Sequence, residues 1–332
     1  MIDSHPVKLL EYVRDGLVEQ EHFGIFIKMS KDENIFKIGD DKDYPFYLRS
    51  CAKPLQAALL VDFKLDEFYS MTSDEIAICC ASHAGEVCHA QIVQGFLNKI
   101  QIDEKLLKCG LHKPLSKLEQ NKMVLSGEKE TVLQNNCSGK HAMMLAICKK
   151  MGWDLMSYDE DNHPLQIAIR NKIYDLCQVY RDYPVTKDGC GVPIYAMPLS
   201  NMLYGYLNLF LDEKYLKIRD AFLENPYLIG GEDRLDTAIM SVNKKLVAKV
   251  GAGGICIVVN LEKKEGLILK IMDCDMKARA ICLIEALNQM NWLDDKMLED
   301  NLIKAQNKKD ILTLHGEKIG FTAFWRDGRL EV

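Results

Sequence analysis

The chain has 332 residues, a formal charge of −6 at neutral pH and a pI near 5.8, with no basic arm or stripe, so a nucleic-acid partner is excluded. Hydrophobic residues at 48% and charged residues at 27% are ordinary for a globular protein. No stretch is long and apolar enough to cross a bilayer, so no membrane partner is expected.

Gly24–Ser30 and Ile35–Ile38 read as strands of a hairpin joined at 31–34. Ser50–Val61 carries an apolar face and reads as a helix. Ser73-Asp74-Glu75 can cap a buried helix through Cys80. His89–Ile100 is amphipathic, with Ile92, Val93, Phe96 and Ile100 on one face. Asp103–Cys109 reads as a helix stopped by Gly110. Further helices are expected at Ser138–Met151, Pro164–Tyr180, Ser200–Leu211, Asp212–Leu223 and Arg234–Val242. Strands follow at Leu246–Lys249, Ile255–Asn260 and Gly266–Met272, then helices at Met276–Gln289 and near Asp294–Ala305, and a strand near Gly320–Trp325. Early strands, a helical middle and late strands predict an α/β fold of the α+β type, an antiparallel sheet with helices segregated against it. No repeat or linker divides residues 1–332, so one domain is expected.

The first thirty residues include Asp3, Glu11, Arg14, Asp15, Glu19 and Glu21, without the apolar core of a secretion signal. The 12 cysteines are scattered, and several sit in apolar runs such as Ile76–Ala81. That is the usage of a reducing, cytoplasmic compartment with buried free thiols.

Three groups of residues carry chemistry. Asn135-Asn136-Cys137-Ser138-Gly139-Lys140-His141 opens an apolar helix, with Ser138 as the expected N-cap. Asp188-Gly189-Cys190-Gly191 holds a second cysteine in turn-forming surroundings. Two thiolates suit zinc, so Cys137, Lys140 and Cys190 are candidate ligands. The alternative is that both cysteines are small buried hydrophobes. Ser50-Cys51-Ala52-Lys53 places a hydroxyl and an amine on one helical face, where a neutral lysine can deprotonate serine for attack on an acyl carbon. Ser126–Lys129 and Ser241–Lys244 share that spacing, but only Lys53 opens an apolar helix. Ser82 and His83 end a buried helix, where they either act or merely satisfy the helix end. Lys249-Val250-Gly251 lies on an expected buried strand.

These strings, in this order, resemble the L-asparaginases of the Rhizobium etli type, also called class 3 or thermolabile asparaginase II. The resemblance runs from Val18-Glu19 and His22-Phe23-Gly24 through Arg49–Gln56, Ala81–Glu86 with His89, Asn135–His141 and Asp188–Pro193. It continues through Asn225-Pro226, Gly230-Gly231 and Lys249–Ala252 to Arg279-Ala280. It implies a fold like that of serine β-lactamases and glutaminases. It further implies a homodimer and the hydrolysis of L-asparagine to L-aspartate and ammonia through an acyl-enzyme. Carried over residue by residue, Ser50 and Lys53 form one catalytic pair and Ser82 with Lys249 the second. Cys137, Lys140 and Cys190 match a zinc site with Asp188 behind it, and Arg49, His83, Glu86, Asn136 and His141 match substrate contacts. Gly253 departs from the family's usual Glu, and Met143 stands where Gly is common. The rival readings are a glutaminase, another Ser-Lys acyl hydrolase such as a penicillin-recognising enzyme, and a non-catalytic zinc-binding homologue.

Overall fold

A nine-stranded antiparallel sheet is the spine of the molecule. Its order is Ile311–Leu312, Lys318–Arg326, Val7–Arg14, Leu17–Ser30, Glu265–Ile271, Ile255–Asn260 and Leu246–Val250. Ile35–Ile38 pairs with Leu17–Ser30 and Arg329–Glu331 with Lys318–Arg326 off that path. The computed structural model describes residues 5–32, 34–41, 44–326 and 329–331, so Glu33 of the expected turn lies outside the described residues. The hairpin forms as expected, with Phe26 opposite Ile38 and Met29 opposite Ile35.

Both faces of the sheet are covered. Leu203 and Leu207 of the Leu199–Leu211 helix lie against Gly266. Leu269, three residues on and therefore on the other face, lines an apolar groove with Cys282 and Ala286 of the Met276–Gln289 helix. This double coverage explains why Ile255–Val259 is apolar without alternation and buried throughout. One contiguous apolar core runs through sheet and helices.

Helices Ala52–Asp62, Ser73–Cys80, Val87–Lys99, Ser138–Met151 and Pro164–Leu176 form the helical part. Gly139 sets its key contact: a Cβ there would lie 2.2 Å from the Ile78 carbonyl oxygen. Only glycine lets the Ser138–Met151 helix approach so closely. Its N-terminus therefore meets the end of the Ser73–Cys80 helix, where the chain runs into Ser82 and His83.

Several elements differ from expectation. The strand Val7–Arg14 was not expected, because two register shifts break its alternation and bury Leu9, Leu10, Tyr12 and Val13 in adjacent pairs. Asp103–Cys109 holds only the 3₁₀ turn Glu104–Leu106. A helix at Lys117–Ser126 was missed, although Ser116 caps it through the Glu119 N–H. Thr72, not Ser73, caps the helix to Cys80, in a reciprocal box with Glu75. Cys137 takes the N-cap position expected for Ser138, and Ser138 is the first helical residue. A small sheet of Phe46–Tyr47, Pro193–Met197 and Val185–Lys187 carries the chain towards Ser50 and Cys190.

Candidate active site

Ser50 lies half-buried in the 3₁₀ turn Arg49–Cys51, which leads directly into the Ala52–Asp62 helix. Arg49 holds φ at +49°, a left-handed conformation that a non-glycine residue keeps only when its surroundings enforce it. They do. Tyr206 Oη donates to the Cys51 carbonyl at 2.8 Å, and Arg49 Nε donates to Asp188 Oδ1 at 2.8 Å. Cys51 Sγ meets the Lys249 carbonyl at 3.6 Å. The turn thus rests on the Leu246–Val250 strand.

Gly251 makes that seat. A Cβ there would lie 3.0 Å from Cys51 Sγ and 3.4 Å from the Cys51 nitrogen and the Leu48 carbonyl oxygen. Gly251→Ala is expected to destabilise the fold by about 1–3 kcal/mol through overpacking. It should also lift the Ser50 turn and lower turnover by roughly tenfold or more. Denaturant unfolding beside a rate measurement checks both. An unaffected rate would show that the turn is not held by this contact.

Lys53 stands one helical turn after Ser50 and is 1% exposed. Its Nζ donates to the Ala81 carbonyl at 2.7 Å and to the Asn136 carbonyl at 2.8 Å. One amine therefore ties together the segments that carry Ser82 and Cys137. Ser82 is buried, its N–H donates to the Ile229 carbonyl at 3.0 Å, and its Oγ has no partner among the described residues. His83 Nδ1 accepts from the Gly85 N–H at 3.2 Å, so Nε2 carries the hydrogen and donates to Ser138 Oγ at 3.0 Å. Burial, with the stacked His89 ring and Lys53 adding, holds His83 well below the usual histidine range.

His141 repeats the pattern. Tyr158 Oη accepts from the Lys108 N–H at 2.8 Å and is hydrogen-bonded to His141 Nδ1 at 2.7 Å. His141 Nε2 is buried and without a partner among the described residues. Burial, then Lys140 and Lys53, keeps this ring neutral. Ser82 Oγ and His141 Nε2 thus keep hydrogen-bonding capacity in a buried place.

Cys137, Lys140 and Cys190 converge from two distant segments. Lys140 Nζ donates to Cys190 Sγ at 2.9 Å. A hydrogen bond from Cys190 pushes the Cys137 thiol well below its ordinary range; burial opposes this, while Lys53 and Lys140 add to it. The same bond, with burial, pushes Cys190 up. Burial works against the Lys140 charge, but the two sulfurs outweigh it and raise its pKa. Burial likewise opposes the Asp188 charge, and Lys140 and Arg49 outweigh it and hold the carboxyl below its usual range. Ten of the twelve cysteines are buried free thiols, so most do serve as small hydrophobes. Cys137 and Cys190, beside a buried ammonium, do not fit that description.

Two expected substrate contacts sit at the edges. Asn136 donates its N–H to His112 Nε2 at 3.1 Å. Glu86 accepts from the Tyr227 hydroxyl and, at 3.0 Å, from the Glu232 N–H. Glu86, Cys88 and His89 also cluster closely enough to bind a metal. There, however, Glu86 is filled as described, and His89 Nδ1 already accepts from the Glu86 N–H at 3.3 Å. Gly253 adjoins Arg49, its Cβ position 3.9 Å from Arg49 Cγ, while Asp188 supplies the carboxylate for that guanidinium.

Lys249 is fully buried, with Nζ 3.4 Å from Asp236 Oδ2 and donating to the Val250 carbonyl at 3.0 Å. Burial pulls its pKa down to about 8, with Asp236 opposing and Lys53 assisting. Asp236 was not anticipated. The signal was a carboxylate inside an apolar run, Leu235–Met240, where a charge survives only with a partner.

No curated protein matches the chain. Residues 10–323 match the family model described as L-asparaginase II. Nearly the whole chain lies within that match, including every residue described around the Ser50 turn, so the chain belongs to the L-asparaginase II family.

Proposed function

We propose that this chain is an L-asparagine amidohydrolase that works through a Ser-Lys acyl-enzyme. Its family makes it an amide hydrolase acting on a small molecule. The observation that carries the finer reading is Lys53, whose amine binds the two carbonyls that deliver Ser82 and Cys137 to the Ser50 turn. A neutral amine has two hydrogens and one lone pair. Held there one helical turn from Ser50, the amine in its neutral form can take the Ser50 proton.

Ser50 attacks the side-chain amide and Lys53 accepts its proton. Ser82, with its unpartnered Oγ, passes a proton to the departing nitrogen. Water then hydrolyses the β-aspartyl ester. A zwitterionic substrate needs a cation and an anion; Arg49 and Glu86 would supply them by exchanging part of their present pairing, with Asp188 and with Tyr227 and the Glu232 N–H, for the substrate. Asn136, His83 and His141 complete the polar lining. The buried free thiols support a reducing, cytoplasmic setting. Among the described residues no helix is long and apolar enough to cross a membrane.

Zinc fits Cys137, Lys140 and Cys190, because two sulfurs and an amine converge in a buried place with Asp188 nearby; the ion would take the place of the proton that keeps Lys140 charged without it. When bound, it would supply a fixed positive charge for orienting a substrate oxygen. Protein purified without chelator is expected to carry zinc. Removing it should raise KM more than it lowers kcat. Elemental analysis of fresh protein finding no metal would count against the site.

Ammonia release by the purified chain tests the function. The expected result is release from L-asparagine well above that from L-glutamine, with no hydrolysis of a chromogenic β-lactam. Preference for glutamine would make the chain a glutaminase, and no release from either would make it a non-catalytic homologue.

A further inference from the structure

Of the twelve cysteines, Cys274 is the exposed one. It sits in the turn between the Glu265–Ile271 strand and the Met276–Gln289 helix. Its φ is +66°, a left-handed conformation that its neighbours enforce. The Met272 N–H donates to the Phe23 carbonyl at 2.9 Å, and Asp273 Oδ2 is hydrogen-bonded to His22 Nδ1 at 2.6 Å. Asp275 caps the helix by accepting from the Ala278 N–H at 2.7 Å. The turn is thus pinned on both sides of Cys274, and its sulfur faces back to the strand, with Sγ 4.0 Å from Lys270 Nζ. Lys270 is 7% exposed and stands opposite Ile25 and Ile255 in the sheet. Its amine donates to the Ile271 carbonyl at 2.7 Å, and among the described residues no carboxylate pairs with it. Burial pulls its pKa down, with Cys274 and Asp273 opposing.

We propose that Cys274 and Lys270 form a reversible sulfur–nitrogen cross-link when the chain meets hydrogen peroxide, and that this bond slows the reaction at the Ser50 turn. Cys274 supplies a sulfur that the oxidant can reach, and Lys270 a nucleophile shielded from bulk water. The Cys274 sulfur attacks one peroxide oxygen. The S–O bond forms, the O–O bond breaks, and the second oxygen leaves as water with the thiol proton. Sulfur is oxidised and the peroxide reduced, giving a sulfenic acid. The neutral Lys270 amine then attacks that sulfur. The S–N bond forms, the S–OH bond breaks, and the hydroxyl takes one amine hydrogen and leaves as water. Two molecules of a small thiol reverse the bond: they restore the Cys274 thiol and the Lys270 amine and leave as a disulfide.

The bond reaches the Ser50 turn through Gly254. The pair must close from 4.0 Å to bonding distance. A Cβ on Gly254 would lie 2.2 Å from the Ile271 carbonyl oxygen and 3.1 Å from Cys274 Cα, so nothing separates the Cys274 turn from residues 251–254. Motion of the turn therefore passes into that hairpin, which sets Gly253 beside Arg49 and Gly251 against Cys51. Lys270 Nζ also lies 5.9 Å from the Phe46 ring centre, on the strand that leads to the Ser50 turn, and the cross-link neutralises that cation. The effect on turnover rests on the asparaginase reading; the bond itself does not.

The test is treatment of wild type, Cys274→Ser and Lys270→Met with hydrogen peroxide, read by intact mass, peptide mapping and ammonia release from L-asparagine. Wild type should become lighter by two hydrogens, with Lys270 joined to Cys274 in the peptide map. Its turnover should fall by about tenfold and recover with a thiol reductant. Cys274→Ser should form no cross-link and keep its rate under the same treatment. Lys270→Met should stop at a sulfenic acid on Cys274, captured by dimedone. Cys274→Ser exchanges one atom at an exposed position, so the comparison stands even if Lys270→Met does not fold. Oxygen gained at Cys274 of the wild type with Lys270 unmodified overturns the cross-link. A cross-linked chain with unchanged turnover, or an equal loss of rate in Cys274→Ser, overturns its effect on the Ser50 turn. A wild type that releases no ammonia before treatment overturns the asparaginase reading, and the mass then decides the bond by itself.

Discussion

Ser50→Ala is expected to lower kcat by at least about a thousandfold while the protein remains folded. The loss should be this large because nucleophile and base act as one unit: without the hydroxyl, the Lys53 amine has nothing to deprotonate. The fold should survive because Ser50 is only half-buried, and the turn is held by its neighbours. Tyr206 binds the Cys51 carbonyl, Arg49 binds Asp188, and Cys51 Sγ rests on the Lys249 carbonyl. None of these contacts uses the Ser50 side chain. Steady-state ammonia release together with thermal unfolding checks both halves. Activity above a few per cent of wild type would move the nucleophile to Ser82, whose Oγ is buried and unpartnered among the described residues.

Lys53→Arg is expected to be as damaging as Lys53→Ala, with both losing roughly a hundredfold to ten-thousandfold in kcat. A guanidinium stays charged at every accessible pH and cannot take the Ser50 proton. It is also planar and larger than an ammonium, and the slot between the Ala81 and Asn136 carbonyls leaves Lys53 1% exposed. Arginine can still donate to one of those carbonyls, so it keeps the charge while losing the base. Parallel rates for the two variants separate these roles. An active Lys53→Arg protein would mean that the amine serves only as electrostatic support.

Ser50, Lys53, Ser82, Cys137, Lys140 and Lys249 are candidates in the sequence because they match the family's strings and because polar and reactive groups inside apolar runs are costly and stand out. What brings them together was not readable. The closeness of Gly139 to Ile78, and of Gly251 to Cys51, depends on which helix meets which strand, and neither glycine announces its neighbour. The Val7–Arg14 strand was hidden by its own register shifts, which make its buried residues mimic a helical spacing. The Lys117–Ser126 helix was hidden for the opposite reason: Leu118, Val124 and Leu125 point into solvent, so it has little apolar face to detect, although its Ser116 cap was visible. Cys137 displaced Ser138 from the cap position because the Asn135 side chain takes the Cys137 N–H at 2.8 Å, leaving Ser138 Oγ to donate to the Leu133 carbonyl and to receive the His83 hydrogen. Asp236, on the Leu235–Val242 helix, went unread because its partner, Lys249, arrives from the Leu246–Val250 strand. Sequence reasoning thus identified which groups are costly to bury. The fold decided which of them offset one another.

The central claim is that an acyl-enzyme forms on Ser50. Rapid acid quench of the enzyme during turnover of L-asparagine, followed by proteolysis and mass spectrometry, tests it most directly. The predicted result is a β-aspartyl adduct on the peptide containing Ser50, which is absent from Ser50→Ala. An adduct on the Ser82 peptide that persists in Ser50→Ala would contradict the account.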